Sequence, residues 1–346
     1  MRHLRIVAAG LVALACAVPA VILGQSAAPA RSAAAGATSA VSKPYAVPRT
    51  ADGQPDLQGF WTNSTYVPLE RPANVNKEFY TPEEALAVEK RAAERESEQT
   101  EPGTVADVHY DFTQFGLDRS QSTFARSLRT SLIVDPPDGK IPSLTAEGQK
   151  RAADRAAARK AMGGQYDAVE NMPIGSRCIV MAGAGPPMMN AGYNANYQIV
   201  QAPGVVMILT EMIHDVRIIP LDGRAAPPQG MRQWTGVSRG RWEGTTLVVE
   251  TTNFNGKNPF RGGSEAMKVT ERFTRISPDR IQYRFTVEDS STWTKPWTAE
   301  MRMAKTNGPI FEFACHESNY GIANILAGAR ADEKRAAETA AKKGSN

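Results

Sequence analysis

Histidine is scarce in this chain. Of four histidines in 346 residues, three lie beyond the N-terminal stretch: His109, His214 and His316. Two of them sit beside carboxylates. Glu211, His214 and Asp215 form an E-x-x-H-D run, while His316 and Glu317 follow Cys315. An imidazole that titrates near neutrality can take or give a proton while a carboxylate holds its tautomer, which is general acid–base chemistry. A second chemistry open to the same side chains is metal binding, with His214 and His316 joined by Glu211 or Glu317 around zinc or a similar divalent ion. In a third reading each ring makes a structural hydrogen bond and does nothing else. The spacing is not that of HExxH or another sharp motif, so the three stay open. No cofactor beyond such a metal is implied.

Other residues carry weaker signals. Glu271 shares a strand face with Met267, Val269 and Phe273, so it points where apolar side chains point and needs a partner or a raised pKa. It is either a proton-transfer group in a cavity or one half of an ion pair with Arg217, Arg239 or Arg241. In SRGRWEG (238–244) two arginines flank a glycine beside Trp242. Such a cluster clamps a carboxylate or stacks on a ring, or is simply a turn with its arginines in solvent. Arg217 and Trp234, with Asn319 and Tyr320 after His316, complete the candidate ligand-binding set. The stretch MAGAGPPMMNAGYNANY (181–197) contains GAG but no strand-to-helix GxGxxG, which argues against a dinucleotide site and for a pliable loop at a cavity mouth.

The elements that must position these residues change character along the chain. Thr81, Pro82 and Glu84 form a capping box opening a charged helix to about residue 97, and Thr145 opens a second, Ala-rich helix ending near Met162. Residues 129–135 read as a short strand. From Tyr197 the period becomes two, with strands expected over 197–201, 205–212, 214–220, 245–252, 267–276, 280–289 and 297–304. Ile281, Tyr283, Phe285 and Val287 alternate with Gln282, Arg284, Thr286 and Glu288, one face core and the other wet. Successive strands without intervening helices imply a mainly β fold, an antiparallel meander forming a lipocalin-like barrel or related sandwich. The expected organisation is a signal peptide over 1–30, a disordered tether over 31–47, a mixed helical leader over 48–165 packed on the barrel, the barrel-like domain over 166–330, and a flexible charged tail over 331–346, after a short helix over 320–326.

Arg2 and Arg5, an apolar run from Ile6 to Leu23 and small residues near Ala28 have the order of a secretory signal; left uncleaved, this segment would be the one membrane attachment. Cleavage removes two arginines from a net charge of +4, too little remaining charge for a nucleic-acid partner. Cys16 leaves with the signal, and Cys178 and Cys315 remain. In an oxidising compartment they most simply pair; the alternative is two buried thiols. Periplasmic or secreted location follows from the signal.

Five segments carry a family resemblance: RTADGQPDLQGFW (49–61), SLIVDPPDGKIP (131–142), YQIVQAPGVVMILTEMIHDVRIIPLDGR (197–224), SRGRWEGTTLVVETTNFN (238–255) and FACHESNYG (313–321). Together they resemble a family of exported bacterial proteins of unknown function. The family often has Tyr where Phe313 stands and Gly where Ser318 stands, which leaves His316 and Glu317 undisturbed. The resemblance implies no reaction.

The leading expectation is recognition of a small apolar or aromatic molecule in a barrel cavity lined by Trp234, Trp242, Trp293, Trp297 and methionines. Its rival is a periplasmic lyase, isomerase or hydrolase using His214 and His316 with a carboxylate, and a third possibility is a structural role at the envelope. Oligomeric state leaves no trace in the sequence.

Overall fold

The computed structural model describes residues 45–96, 125–181, 185–190, 194–317 and 319–344. The signal segment, nearly all of the tether, and His109 lie outside the described residues. Among the described residues ten strands are formed: β1 (Gly59–Thr62), β2 (Ile133–Asp135), β3 (Asn196–Ala202), β4 (Val205–Thr210), β5 (Val216–Pro220), β6 (Val237–Glu243), β7 (Thr246–Thr252), β8 (Lys268–Ser277), β9 (Arg280–Glu288) and β10 (Trp297–Lys305). Three helices accompany them: α1 (Pro82–Glu96), α2 (Ala146–Ala161) and α3 (Gly321–Gly344).

Nine strands follow the order β5-β4-β3-β1-β10-β9-β8-β7-β6, each neighbour antiparallel, and curl into a nearly closed barrel. The meander β6 to β10 is joined by tight two-residue turns between β6 and β7 and between β8 and β9. Its alternation is as the period predicts: Ile281, Tyr283, Phe285 and Val287 are fully buried while Arg284 is exposed. Trp297, Ala299, Met301 and Met303 repeat this on β10.

The leader does more than pack on the barrel, because β1 is one of its staves. It pairs with β3 through Phe60 and Gln198 and with the end of β10 through Trp61 and Lys305. Thr298 and Ala299, which lie on β10 beyond the reach of β1, pair with β2. Four residues are too few to show a period, and an aromatic pair before a polar run reads equally well as an anchor.

Between β5 and β6 there is no hydrogen-bond ladder; side chains close the seam. A Cβ on Gly240 would lie 2.7 Å from Leu221 Cδ2 and 2.8 Å from Ile219 Cγ2, so glycine is what lets the edges approach. Arg217 Nη2 donates across the same seam to Ser238 Oγ at 3.2 Å. SRGRWEG is thus strand β6, not a turn.

Rings in contact fill the inside: Phe273 with Tyr283 at 4.9 Å, Tyr283 with Phe285 at 5.8 Å, Phe285 with Trp297 at 5.9 Å and Trp293 with Trp297 at 5.8 Å. Trp293 and Trp297 are therefore core residues and not walls of a central chamber. The end bearing the β8–β9 turn is sealed by Arg275, whose guanidinium donates to Asp56 O and Pro278 O at 2.9 Å each and lies 5.5 Å above the Trp61 ring.

The expected capping box forms, Glu84 N donating to Thr81 Oγ1 and Thr81 N to Glu84 Oε2, and Thr145 opens the second helix as expected, its Oγ1 accepting Gly148 N. The C-terminal helix corrects the expected tail, since α3 continues to Gly344 instead of stopping near Leu326. Its alanines favour helix, and Arg330–Glu333 and Arg335–Asp332 ion pairs lie one turn apart on it.

Candidate functional site

The barrel end opposite the Arg275 seal gathers the long connections. The β7–β8 loop, the β9–β10 loop, the returning end of the β5–β6 crossover and the segment leading into β3 all meet there, as the register places Thr252, Lys268, Glu288 and Asn196 at that end. They border a cavity of about 380 Å³ that opens to solvent, within the range of small-molecule sites. Its walls include Trp234, Phe254, Phe260, Met181, Met189 and Met267, with Pro186 and Pro187. Polar atoms come from Asn190, Thr235, Asn258 and Arg261.

Local chemistry explains how these side chains are held. Phe260 opens a short 3-10 turn, Phe260–Gly262, and stacks on Trp297 at 6.0 Å, which ties the cavity floor to the ring column of the core. Asn253 fixes the neighbouring crossover: its Nδ2 donates to Pro227 O, Pro228 O and Met231 O. That crossover carries Trp234. Met188 N donates to Tyr283 Oη at 2.8 Å, so the segment bearing Met189 and Asn190 rests on the barrel wall.

Of the residues expected to bind ligand, the structure brings Trp234 to this cavity. Arg239 and Arg241 alternate along β6 with Ser238, Gly240 and Trp242, so arginines and tryptophan occupy opposite faces and the expected clamp does not form. Arg241 pairs outside with Glu243 and Glu250. Asn319 and Tyr320 are exposed on the C-terminal segment. Phe254, Phe260, Arg261 and Met267 escaped sequence reasoning. The signal was the interval 253–267, far longer than the two-residue turns of the same meander, and such loops commonly carry function.

Glu271 takes the ion-pair alternative. It is fully buried, receives Arg217 Nη1 at 3.1 Å and Nη2 at 2.5 Å, and accepts the Tyr283 hydroxyl at 2.7 Å. Burial opposes the Arg217 charge, but the Glu271 carboxylate outweighs it and the guanidinium pKa ends raised. Burial, reinforced by Glu271, pushes the Tyr283 hydroxyl well up. These groups lock the barrel wall and have no described opening onto the cavity.

The E-x-x-H-D run forms the β4–β5 connection at the same end. Ile213 and His214 both have left-handed backbone, φ 59° and 44°, uncommon for any non-glycine and strained for a β-branched residue. His214 is exposed, and its Nδ1 lies 2.9 Å from Phe313 O. A carbonyl only accepts, so Nδ1 carries the proton and Nε2 is left bare in the neutral ring. A backbone carbonyl, not the expected carboxylate, therefore sets the tautomer. Glu211 is buried and accepts Asn196 Nδ2 at 2.6 Å and Phe311 N at 3.3 Å, with burial raising its pKa. Burial likewise raises that of Asp215, whose Oδ1 accepts Val216 N. His316 and Glu317 are exposed. Among the described residues no group of three or more His, Cys, Asp or Glu is placed to hold a metal ion, so the expected zinc set of His214, His316 and a glutamate is not assembled. The Cys178–Cys315 disulfide is formed, with Cα atoms 5.8 Å apart.

Fold and site together define a nearly closed antiparallel barrel, packed inside, with an apolar cavity under the loops of one end. Neither a protein-family model nor a curated protein sequence matches the chain.

Proposed function

We propose that this protein is exported and recognises a small apolar or aromatic molecule, bound at the loop-covered end of the barrel and not along its axis. The observation that carries the reading is the 380 Å³ cavity walled by Trp234, Phe254, Phe260 and three methionines. Aromatic and thioether groups give large, adaptable apolar contact, and the few polar groups at the edge would orient a ligand. The disulfide supports an oxidising compartment. Naphthalene derivatives are suitable probes, measured by titration calorimetry on the full chain. Trp234→Ala should weaken saturable binding by about tenfold or more, the loss of roughly 1.4 kcal/mol. Absence of saturable binding across apolar and aromatic probes would sink the reading.

Acid–base catalysis at His214 is a second reading, favoured by the fixed Nδ1 and the strained backbone beneath it. There His214→Gln would abolish turnover of a bound molecule and leave its affinity unchanged; an unaffected turnover would exclude it.

A further inference from the structure

Arg261 stands out among the cavity walls. Among the described residues it is the one charged side chain lining that space, and no aspartate or glutamate among them lines it. Every buried arginine of the barrel has an assigned partner: Arg217 has Glu271, Arg275 has Asp56, and Arg71 has Thr130. Arg261, by contrast, is exposed and makes no hydrogen bond or ion pair among the described residues. Its backbone is left-handed, φ 51°, although Gly262 follows immediately with φ 87°. Glycine would occupy that conformation without steric cost, so a guanidinium is held there against local preference, as residues at ligand sites often are. Asn258, half-buried in the same wall, also has a side chain with no hydrogen-bond partner among the described residues.

We infer that the cavity takes an apolar or aromatic carboxylate, its hydrophobic body against Trp234 and Phe260 and its carboxylate on the Arg261 guanidinium. This rests on the proposed binding at the same cavity and names the class of ligand. A planar guanidinium offers two parallel N–H donors to a carboxylate, and Asn258 supplies a further donor from its amide. With no acidic group among the described residues of the wall, none of them repels the anion. A neutral amide of the same shape offers the guanidinium one carbonyl acceptor and no charge, a weaker partner than a carboxylate.

The test compares naphthalene-2-carboxylate with naphthalene-2-carboxamide, alike in shape and unlike in charge, by calorimetry on the full chain at low salt. The native protein should bind the carboxylate about tenfold more tightly, a charge-assisted pair's usual margin. Arg261→Gln should remove that preference, bringing the carboxylate's affinity down to that of the amide. Arg261→Gly should remove it too and at the same time raise the melting temperature, because the left-handed strain is relieved. Equal affinity for the two probes, or a preference that survives Arg261→Gln, overturns the assignment of an anionic ligand while binding at the cavity stands. If neither probe binds, the cavity reading falls, and this inference with it.

Discussion

At the centre of the barrel the Glu271 carboxylate is enclosed by one guanidinium and one phenol. A carboxylate on an inward strand face was visible in the sequence as an anomaly, and Arg217 was among the arginines able to answer it. Which arginine answers was not legible, because Arg217 lies 54 residues away and the choice depends on how the seam closes. The Nε of Arg217 lacks a partner, so the pair is not fully compensated even when intact. Removing one member should cost more than the pair contributes: Glu271→Ala should destabilise by about 3 to 5 kcal/mol by stranding a buried positive charge. The double replacement Arg217→Met with Glu271→Met should cost clearly less than Glu271→Ala alone. Urea unfolding of the three chains decides it, and a double variant worse than the single one would show that the pair holds the seam by more than charge.

At the scale of elements, legibility followed length and period. β8, β9 and β10 have nine or ten residues each, enough for alternation to declare itself, and their buried faces are those the pattern assigns. β1 has four residues and declares nothing. β6 has seven, but Gly240 and two arginines make it resemble a turn. The glycine is there for proximity, where a bare backbone passes beside Ile219 and Leu221, and sequence cannot separate that use from a turn. The cavity was legible in part: the glycine-rich segment around Pro186 was expected at a mouth, while Phe260 and Arg261 belong to an irregular loop with no period to follow. The seam itself is testable. Gly240→Val places branched carbons where 2.7 and 2.8 Å are available to the first of them, and overpacking of this kind costs about 1 to 3 kcal/mol. A melting temperature equal to that of the native chain would show that the two edges are looser than the contacts indicate.

For the whole molecule, the C-terminal segment is what joins one end of the barrel to the other. It leaves β10 at the sealed end, where Lys305 N donates to Asp279 O and Thr306 N to Phe60 O. It then reaches the E-x-x-H-D connection at the open end, where Phe311 N meets Glu211 and Phe313 O meets His214. Cys315 ends the climb by bonding Cys178, 137 residues earlier, in the segment that continues to Met181 at the cavity wall. Cys178 itself has left-handed backbone, φ 55°. The bond closes a loop between residues 137 apart in sequence, and it fastens the cavity wall to the C-terminal segment. Closing so long a loop restricts the unfolded chain strongly, and the Cys178→Ser, Cys315→Ser double variant should lose about 3 to 5 kcal/mol against the oxidised protein. The same change should weaken binding of naphthalene-2-carboxylate, because the Met181 wall is no longer held. Denaturation midpoints and calorimetry on the two proteins provide both readouts. A lower midpoint with unchanged affinity would make the bond a brace of the fold alone, and an unchanged midpoint would mean that the C-terminal segment holds its place through Glu211 and His214 without it.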